Sequence, residues 1–179
     1  MMPVMRRAAV ALLLCLAGCG GGDKLKSPPP SAPRSLTVTS PDFPANGAIP
    51  ARFSCDGAKA RPALRFARVP AGAAELALVV VDPDAGGFVH WTAYALAPDV
   101  RGLGATGLPA GAREGENSTG STGWTPPCPP SGTHHYEFRL YWLKRKSGLG
   151  AGAKPDEVIA AVRKSAGGSG LLVGRYARR

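Results

Sequence analysis

The sequence predicts a mostly β domain with one or two short helices, and three observations support this prediction. Gly 24 and Pro 18 together make 42 of the 179 residues, about twice the usual share. Helices do not tolerate so many breakers, so a helical bundle or a coiled coil is excluded. Several short segments have the apolar alternation or the apolar runs of β-strands, whereas one segment near the C-terminus has the spacing of a helix.

The first residues indicate an exported lipoprotein and not a part of the fold. Two arginines precede an apolar run over 8–17, which is too short to cross a membrane but suits the core of a signal peptide. The run leads into LAGC at 16–19, which resembles the lipobox in which the cysteine is lipidated. We therefore expect residues 1–18 to be a lipoprotein signal peptide and Cys19 to anchor the protein to the bacterial cell envelope. The alternative is an ordinary secretory signal with a chance cysteine.

The remaining chain divides into a tether and a domain. Residues 19–35 are rich in Gly, Pro and Ser and predict a disordered tether, so the folded domain spans 36–179. Without the two signal-peptide arginines the net charge is 20 − 12 = +8. This charge is typical of a solvated basic surface, or of a surface that contacts anionic phospholipid. No nucleic-acid partner is expected, because an exported chain without a binding motif has no means to recognise one.

The first half of the domain predicts three strands. Residues 36–39 alternate and predict a short edge strand, and 41–50 predict a loop with a turn at Asn46-Gly47. Alternation over 63–69 predicts a half-buried strand. The continuous apolar run over 75–82 predicts a central strand covered on both faces.

The second half predicts three further strands and the helix. Residues 89–96 have the β-branched and aromatic composition of a strand, and residues 136–143 alternate clearly. The long Gly/Pro-rich stretch 102–130 between them predicts an irregular loop of a length that is usually either functional or disordered. Residues 156–166 predict a helix that starts after Pro155 and has acidic residues in its first turn. The glycines of 167–170 are expected to end this helix before a last strand over 171–176.

Two cysteines remain in the mature domain. Cys15 leaves with the signal peptide and Cys19 carries the lipid, which leaves Cys55 and Cys128 in a compartment where disulfides persist. They are candidate disulfide partners, and the alternative is a reactive thiol. The sequence leaves the choice open because it does not supply the Cα separation.

Polar residues gather at the ends of the predicted strands. Residues 82–84 (DPD) follow the central strand, His90 lies early in the next, and 128–136 (CPPSGTHHY) lead into the strand at 136–143. Loops held on a sheet are where binding sites tend to form. Each feature also has a structural interpretation, since Asp-Pro-Asp suits a turn and a lone histidine suits a core. His134 and His135 point to opposite faces of a strand, so at most one of them serves a given pocket.

Three segments in order, VVVDPDAGGFVHWTAYAL, GAREGEN and PPCPPSGTHHYEFRLYWL, closely resemble the phosphatidylethanolamine-binding protein family. Within it they are most similar to the bacterial Raf-kinase-inhibitor-like branch of the YbhB/YbcL type, over about residues 39–176. The resemblance implies a Greek-key β-sandwich of antiparallel sheets with one or two short peripheral helices. It also implies a small pocket for phosphate or a phosphoethanolamine-like head group, without a cofactor or a metal.

The resemblance assigns a role to each motif residue. Asp82 matches the first Asp of the family's DPDAP motif, His90 the pocket histidine of the following strand, and His134 the histidine of the GxHR motif. The loop before His134 matches the one whose amides help to hold the anion. The expected ligand-binding residues are thus Asp82, His90, Ser131, Gly132, Thr133 and His134, and the expected supporting residues are Asp84, Pro129 and Pro130.

The sequence departs from the family pattern at the rim of this pocket. Gly86 replaces the last proline of DPDAP, and His135 replaces the arginine that usually follows the motif histidine, which removes a fixed cation. Residues 118–121 (STGS) replace aromatic and basic residues, and Pro126 replaces a glycine. These changes alter the charge and the rim of the expected pocket.

The leading functional expectation is a non-enzymatic, membrane-tethered binding protein for a small phosphorylated or carboxylated ligand, which includes a phospholipid head group. The first alternative is a protein-inhibitor module of the Raf-kinase-inhibitor-like type that acts on an envelope or host protein. A weak hydrolase is the second alternative, and the absence of a G-x-S-x-G motif counts against it.

Overall fold

The structure is a computed structural model that describes residues 25–178. Its helices are a single 3₁₀ turn over Ala51–Phe53 and α1 (Pro155–Ser165). Its strands in chain order are β1 (Thr37–Thr39), β2 (Gly47–Ala48), β3 (Leu64–Ala67), β4 (Glu75–Asp82), β5 (Phe88–Leu96), β6 (Gly102–Leu103), β7 (Arg113–Glu114), β8 (Thr133–Leu143) and β9 (Ala166–Ala177).

The strands form two sheets that enclose an apolar core. The smaller sheet has the order β1-β3-β6 and the larger the order β2-β9-β8-β4-β5-β7. All pairs are antiparallel except β2 with β9, which is parallel. The predicted mostly β sandwich with a short peripheral helix is confirmed. The β2–β9 pair and an isolated parallel bridge between Arg34 and Ser169 depart from the expected antiparallel sheets.

Strand β4 lies at the centre of the larger sheet and is buried along its whole length. Leu76, Leu78 and Val80 face the core between the sheets. Ala77 and Val79 face a second core, which α1 covers with Val158, Ile159 and Val162. The predicted central strand is confirmed, because an apolar run without alternation needs cover on both faces.

The helix begins and ends close to the predicted residues. Glu157 accepts a hydrogen bond from the Lys154 main-chain N–H at 2.8 Å and so caps the first turn. The helix ends before the glycines of 167–170, but these glycines already lie inside β9, which begins five residues before the predicted strand and pairs with β8. They are glycines because of packing, since a Cβ at Gly167 would overlap the Trp142 ring.

The stretch 102–130 is more ordered than predicted. It contains β6 and β7, and the buried Arg61 guanidinium donates to the main-chain oxygens of Gly104 and Gly107 and to the carboxylate of Glu114. Farther along, the Ser118 N–H donates to Val89 O at 2.9 Å, and the Val89 N–H donates to Ser118 Oγ at 2.9 Å. These bonds attach the segment to β5 and make it one wall of the domain.

Residues 25–35, here called the N-terminal strap, lie against the domain. We had predicted them to be part of a disordered tether. The Tyr141 hydroxyl donates to Pro30 O at 2.8 Å and the Ser169 N–H donates to Pro33 O at 2.8 Å. The predicted signal peptide and Cys19 lie outside the described residues. Within residues 25–178, no helix is long and apolar enough to span a membrane.

The structure joins Cys55 to Cys128, 73 residues apart in sequence, with a Cα–Cα distance of 5.4 Å. The Cys55 N–H donates to Pro127 O at 3.0 Å, so the two segments also pair through their main chains. The disulfide therefore fastens the end of the 102–130 stretch to the 3₁₀ region.

Candidate functional site

A cavity of about 350 Å³ lies at the end of the larger sheet where β4 ends and β8 begins. Its walls come from β4, β5, β8 and the segment 119–130. The lining residues are Asp82, Ala85, Phe88, His90, Thr119, Thr125, Pro126, Cys128, Pro129, Pro130, His134 and Tyr136.

Asp82 and His134 form a hydrogen-bonded pair in this cavity. The His134 Nδ1–H donates to Asp82 Oδ2 at 2.7 Å, and the side chains are 14% and 3% exposed. A carboxylate accepts and does not donate, so the proton of this bond resides on Nδ1. The other ring nitrogen, Nε2, is therefore the one left for a ligand.

The turn after β4 holds the Asp82 carboxylate in place. Its second oxygen, Oδ1, accepts from the Ala85 N–H at 3.0 Å, and its main-chain oxygen accepts from the Gly87 N–H at 3.0 Å. Gly86 and Gly87 have φ values of 68° and 84°, a left-handed conformation that favours glycine and that proline does not adopt. The glycine in place of the family's proline thus belongs to a different but well-held turn.

His90 is an extra residue in its strand. Val80 pairs with Trp91 but Val81 pairs with Val89, so His90 has no partner on β4 and forms a β-bulge. A bulge re-aims side chains, and here it turns His90 to the cavity while Trp91 enters the core beside it.

The surroundings of His90 determine its protonation. The Thr125 carbonyl lies 2.9 Å from Nδ1 and accepts its proton, so Nε2 is the free nitrogen. Burial lowers the pKa of His90 below the ordinary 6.5, against the smaller opposing effects of Thr125 and the Asp82 charge. At neutral pH the imidazole is neutral, and its free nitrogen accepts hydrogen bonds. The cationic donor form of His90 requires a proton that the free protein does not hold.

Tyr136 is a cavity residue that our sequence analysis missed. Its ring stands edge-on to His90 with centroids 5.1 Å apart, and its hydroxyl is buried without a hydrogen-bond partner among the described residues. Burial and then the negative charge of Asp82 raise the pKa of Tyr136 above its usual range, so the hydroxyl stays protonated. The smallest cause is a weak polar contact with the Asp82 carboxylate, which does not have the geometry of a hydrogen bond. The signal was available, because Tyr136 lies two residues after His134 and hence on the same face of the strand.

Asp84 and His135 meet outside the cavity. Asp84 Oδ2 accepts from the His135 main-chain N–H at 2.7 Å and lies 2.9 Å from His135 Nδ1. The main-chain bond is the largest cause that lowers the pKa of Asp84. Asp84 thus braces the start of β8, and His134 and His135 face opposite sides as the alternation predicts.

The structure does not bring Ser131, Gly132 and Thr133 to the cavity. β8 begins at Thr133, three residues before the predicted strand, and Thr133 pairs with Ala177 of β9. None of the three residues is among those that line the cavity, so the amides expected to hold an anion are not part of its wall. Pro129 and Pro130 do line the cavity, next to the disulfide-bonded Cys128.

No lysine or arginine of residues 25–178 lines the cavity, so its polar side chains are one carboxylate, two imidazoles, one phenol and the hydroxyls of Thr119 and Thr125. The Thr119 hydroxyl is already used, because it donates to Asn117 Oδ1 at 2.6 Å. In the same part of the chain, no group of three or more His, Cys, Asp or Glu side chains is placed to hold a metal ion. The remainder of the wall is apolar, from Phe88 and the prolines. The site can therefore exchange hydrogen bonds and protons with a small polar group, while the apolar wall excludes water from most of the surface of that group.

A larger groove of about 740 Å³ lies beside β2 and the end of β9. Its carboxylate, Asp56, already accepts from the Tyr176 hydroxyl at 2.7 Å and from Arg178 Nε at 3.2 Å. Asp56 is thus already paired, and the groove contains no histidine, so we place the candidate site in the smaller cavity, where Asp82, His90 and His134 lie together.

Comparison with known proteins gives consistent matches. A profile of the family described as phosphatidylethanolamine-binding protein matches residues 39–177. The chain is 42% identical over 191 residues to the Mycobacterium tuberculosis protein named "Putative lipoprotein LppC", with 94% of this chain and 93% of that protein covered. The fold is similar to the crystal structure of CT736 from Chlamydia trachomatis, with a TM-score of 0.76, 31% identity and coverage of 82% of this chain and 99% of that one. It is also similar to E. coli YbcL, with a TM-score of 0.75, 26% identity and coverage of 81% and 99%.

Proposed function

Because this chain belongs to the phosphatidylethanolamine-binding protein family, we propose that it is an envelope-anchored binding protein that holds a small phosphorylated group in the Asp82–His134 cavity. Free phosphate and a phosphorylated lipid head group share the chemistry that the cavity would recognise. The observation that carries this proposal is the set of hydrogen-bonding groups left unused around one small cavity.

Three groups have this unused capacity. The Tyr136 hydroxyl is a buried donor without a partner among the described residues, and His90 and His134 each have one free ring nitrogen. A buried unpaired hydroxyl costs about 1–3 kcal/mol. Water does not reach the Tyr136 hydroxyl in the free protein, so a ligand oxygen accepts from it only after neighbouring side chains shift, and the new hydrogen bond then recovers that free energy. A phosphate oxygen can accept from the Tyr136 hydroxyl, whereas each free imidazole nitrogen donates to a phosphate oxygen only after it takes up a proton, and otherwise accepts from a protonated phosphate oxygen.

We expect anion binding at this site to be coupled to the uptake of a proton. A phosphate dianion beside the Asp82 carboxylate is unfavourable unless the histidines become cationic or the phosphate keeps a proton. His90 is neutral in the free protein, so binding draws a proton either onto its Nε2 or onto the phosphate oxygen that faces it. We therefore expect proton uptake on binding and a tighter complex as the pH falls from about 8 to about 6.5, since a phosphomonoester has its second pKa near 6.

The apolar wall defines the rest of the ligand. Phe88, Pro126 and Pro129 surround the polar groups, which strengthens their hydrogen bonds by excluding water. A cavity of about 350 Å³ holds a head-group-sized molecule and not a whole lipid. The anchor at Cys19 is proposed from the lipobox-like sequence and is supported by the name of the M. tuberculosis relative.

The arrangement supports binding in preference to hydrolysis. Asp82 holds His134 through Nδ1 and leaves Nε2 free, as in a hydrolase triad, but among the described residues no serine, threonine or cysteine side chain is hydrogen-bonded to Nε2 of His134 or His90, and Ser131 does not line the cavity. A nucleophilic mechanism needs a hydroxyl within hydrogen-bond reach of the base. The cavity residues are instead arranged as donors and acceptors for a bound group.

Isothermal titration with phosphate, O-phosphorylethanolamine and ethanolamine tests the proposal. The chain carries Cys19→Ser so that it stays unlipidated, and His134→Gln is compared with the matched control His135→Gln. We expect saturable heat with both phosphorylated compounds, none with ethanolamine, and loss of binding in His134→Gln alone. Heat with ethanolamine alone, or an equal loss in both variants, would refute an anion site at this cavity.

A further inference from the structure

We propose that the N-terminal strap orients the domain on its lipid anchor, so that the end of the sandwich containing the cavity faces the membrane. This inference rests on the proposed function, specifically on the anchor at Cys19. It adds an interaction surface, namely the loops around the cavity mouth, and a partner, the surface of the bilayer that holds the anchor.

The strap runs along the outer face of the larger sheet and over α1. Its bonds involve both main-chain and side-chain groups along its length, so it is docked at several points and not at one. At the start of the strap, Leu25 packs against the outer core and the Lys26 N–H donates to Asp156 Oδ1 at 3.1 Å. In the middle, three main-chain oxygens accept hydrogen bonds: Pro28 O from Arg163 at 2.9 Å, Pro30 O from the Tyr141 hydroxyl at 2.8 Å and Ala32 O from Ser169 Oγ at 2.9 Å. At the end, Ser35 Oγ accepts from Trp142 Nε1 at 3.1 Å.

The strap meets the domain at opposite ends. Ser35 contacts Trp142, which pairs with Leu76 near the start of β4. Leu25 lies beside the turn after β4. A Cβ atom built on Gly87 of that turn would lie 3.9 Å from the Cβ of Leu25. That turn supplies Asp82 to the cavity, and Phe88 follows it. The chain therefore joins the domain at the cavity end.

The distance from Cys19 to Leu25 determines which end can face the bilayer. Six residue steps separate them, which span at most about 20 Å when fully extended. β8 has 11 residues and runs the length of the sheet, about 36 Å at 3.3 Å per residue. In an inverted domain Leu25 would stand farther from the membrane than the anchor reaches. The strap would have to detach to permit that orientation.

The loops around the cavity mouth are suited to lie against head groups. The segments 83–87, 118–122 and 129–132 contain one charged side chain, Asp84, which pairs with His135. The opposite end carries exposed basic residues over 144–146. Contact between that basic end and anionic phospholipid, one of the two interpretations of the net charge, would require the inverted orientation.

Site-directed spin labelling of the lipidated full chain in vesicles tests this orientation. One nitroxide is attached through Ser121→Cys, on a loop at the cavity end, and the matched control through Ala110→Cys, exposed at the opposite end. The vesicles carry a nickel chelate on lipid head groups, which broadens nearby nitroxides. We expect several-fold stronger broadening at position 121 than at position 110. Insertion of about twenty Gly/Ser residues after Gly22 lengthens the reach and is expected to remove the difference.

Each result separates this inference from the proposed function. Equal or reversed broadening in the natural chain overturns the orientation, and a difference that survives the insertion overturns the role of the strap. A chain that does not float with the vesicles overturns the anchor and this inference together. The labels report without any ligand, so the titration with phosphate stands as an independent test of the cavity.

Discussion

Replacement of Tyr136 by Phe separates stability from binding more sharply than any other single change at this site. In the free protein the substitution removes a buried hydroxyl that has no partner among the described residues, so the penalty of about 1–3 kcal/mol for that group is relieved. In the complex it removes a hydrogen bond to a charged oxygen, worth about 1.5–3 kcal/mol. At about 1.4 kcal/mol per factor of ten, phosphate affinity falls by about 10-fold to 100-fold. The variant should therefore be at least as stable as the natural protein and bind less tightly.

Urea unfolding and isothermal titration on the same preparations measure the two effects. The matched control is Tyr141→Phe, which removes a hydroxyl on the opposite face of β8 that donates to Pro30 O at 2.8 Å. This control should lose about 1 kcal/mol of stability and retain its affinity. A Tyr136→Phe protein that is clearly destabilised, or one that binds phosphate as tightly as before, would refute the assignment of Tyr136 as a ligand donor.

Three further predictions concern His90, the disulfide and Arg61. The folded-state pKa of His90 lies below 6.5, so the unfolded chain binds the proton more tightly and the free energy of unfolding falls as the pH drops below about 6.5. His90→Asn, which keeps a donor for Thr125, should flatten that decline in urea titrations at several pH values. Loss of the disulfide through Cys55→Ala with Cys128→Ala should cost about 4 kcal/mol for a 73-residue separation and lower the Tm by about 8–16 °C, and an unchanged Tm would contradict the pairing. Arg61→Lys cannot keep the forked bonds to two loop carbonyls and should expose that loop to faster amide exchange.

The sequence predicted those elements whose signal is local. The central strand follows from an apolar run that only two-sided cover explains, and β8 follows from clear alternation. The glycines of 167–170 were misread because their place in β9 depends on the ring of Trp142, a partner far away in sequence. The composition of the segment itself does not reveal which distant side chain packs against it.

The site was predicted in outline but not in its electrostatics. Asp82, His90 and His134 do share one cavity, yet the neutral state of His90 results from burial and from the Thr125 carbonyl, which sequence spacing does not reveal. The strap was missed for a related reason. It is held largely through main-chain oxygens, which every sequence offers, so a Gly/Pro/Ser composition does not distinguish a docked segment from a tether.

Histidine NMR on the Cys19→Ser chain tests the central claim most directly, because the protein has only three histidines. Phosphate is titrated at constant pH while the ring signals of His90, His134 and the outward-facing His135 are followed. The account predicts saturable shifts at His90 and His134 with one common dissociation constant and no saturable shift at His135. Shifts confined to His135, or no shift at either cavity histidine at millimolar phosphate, would contradict it.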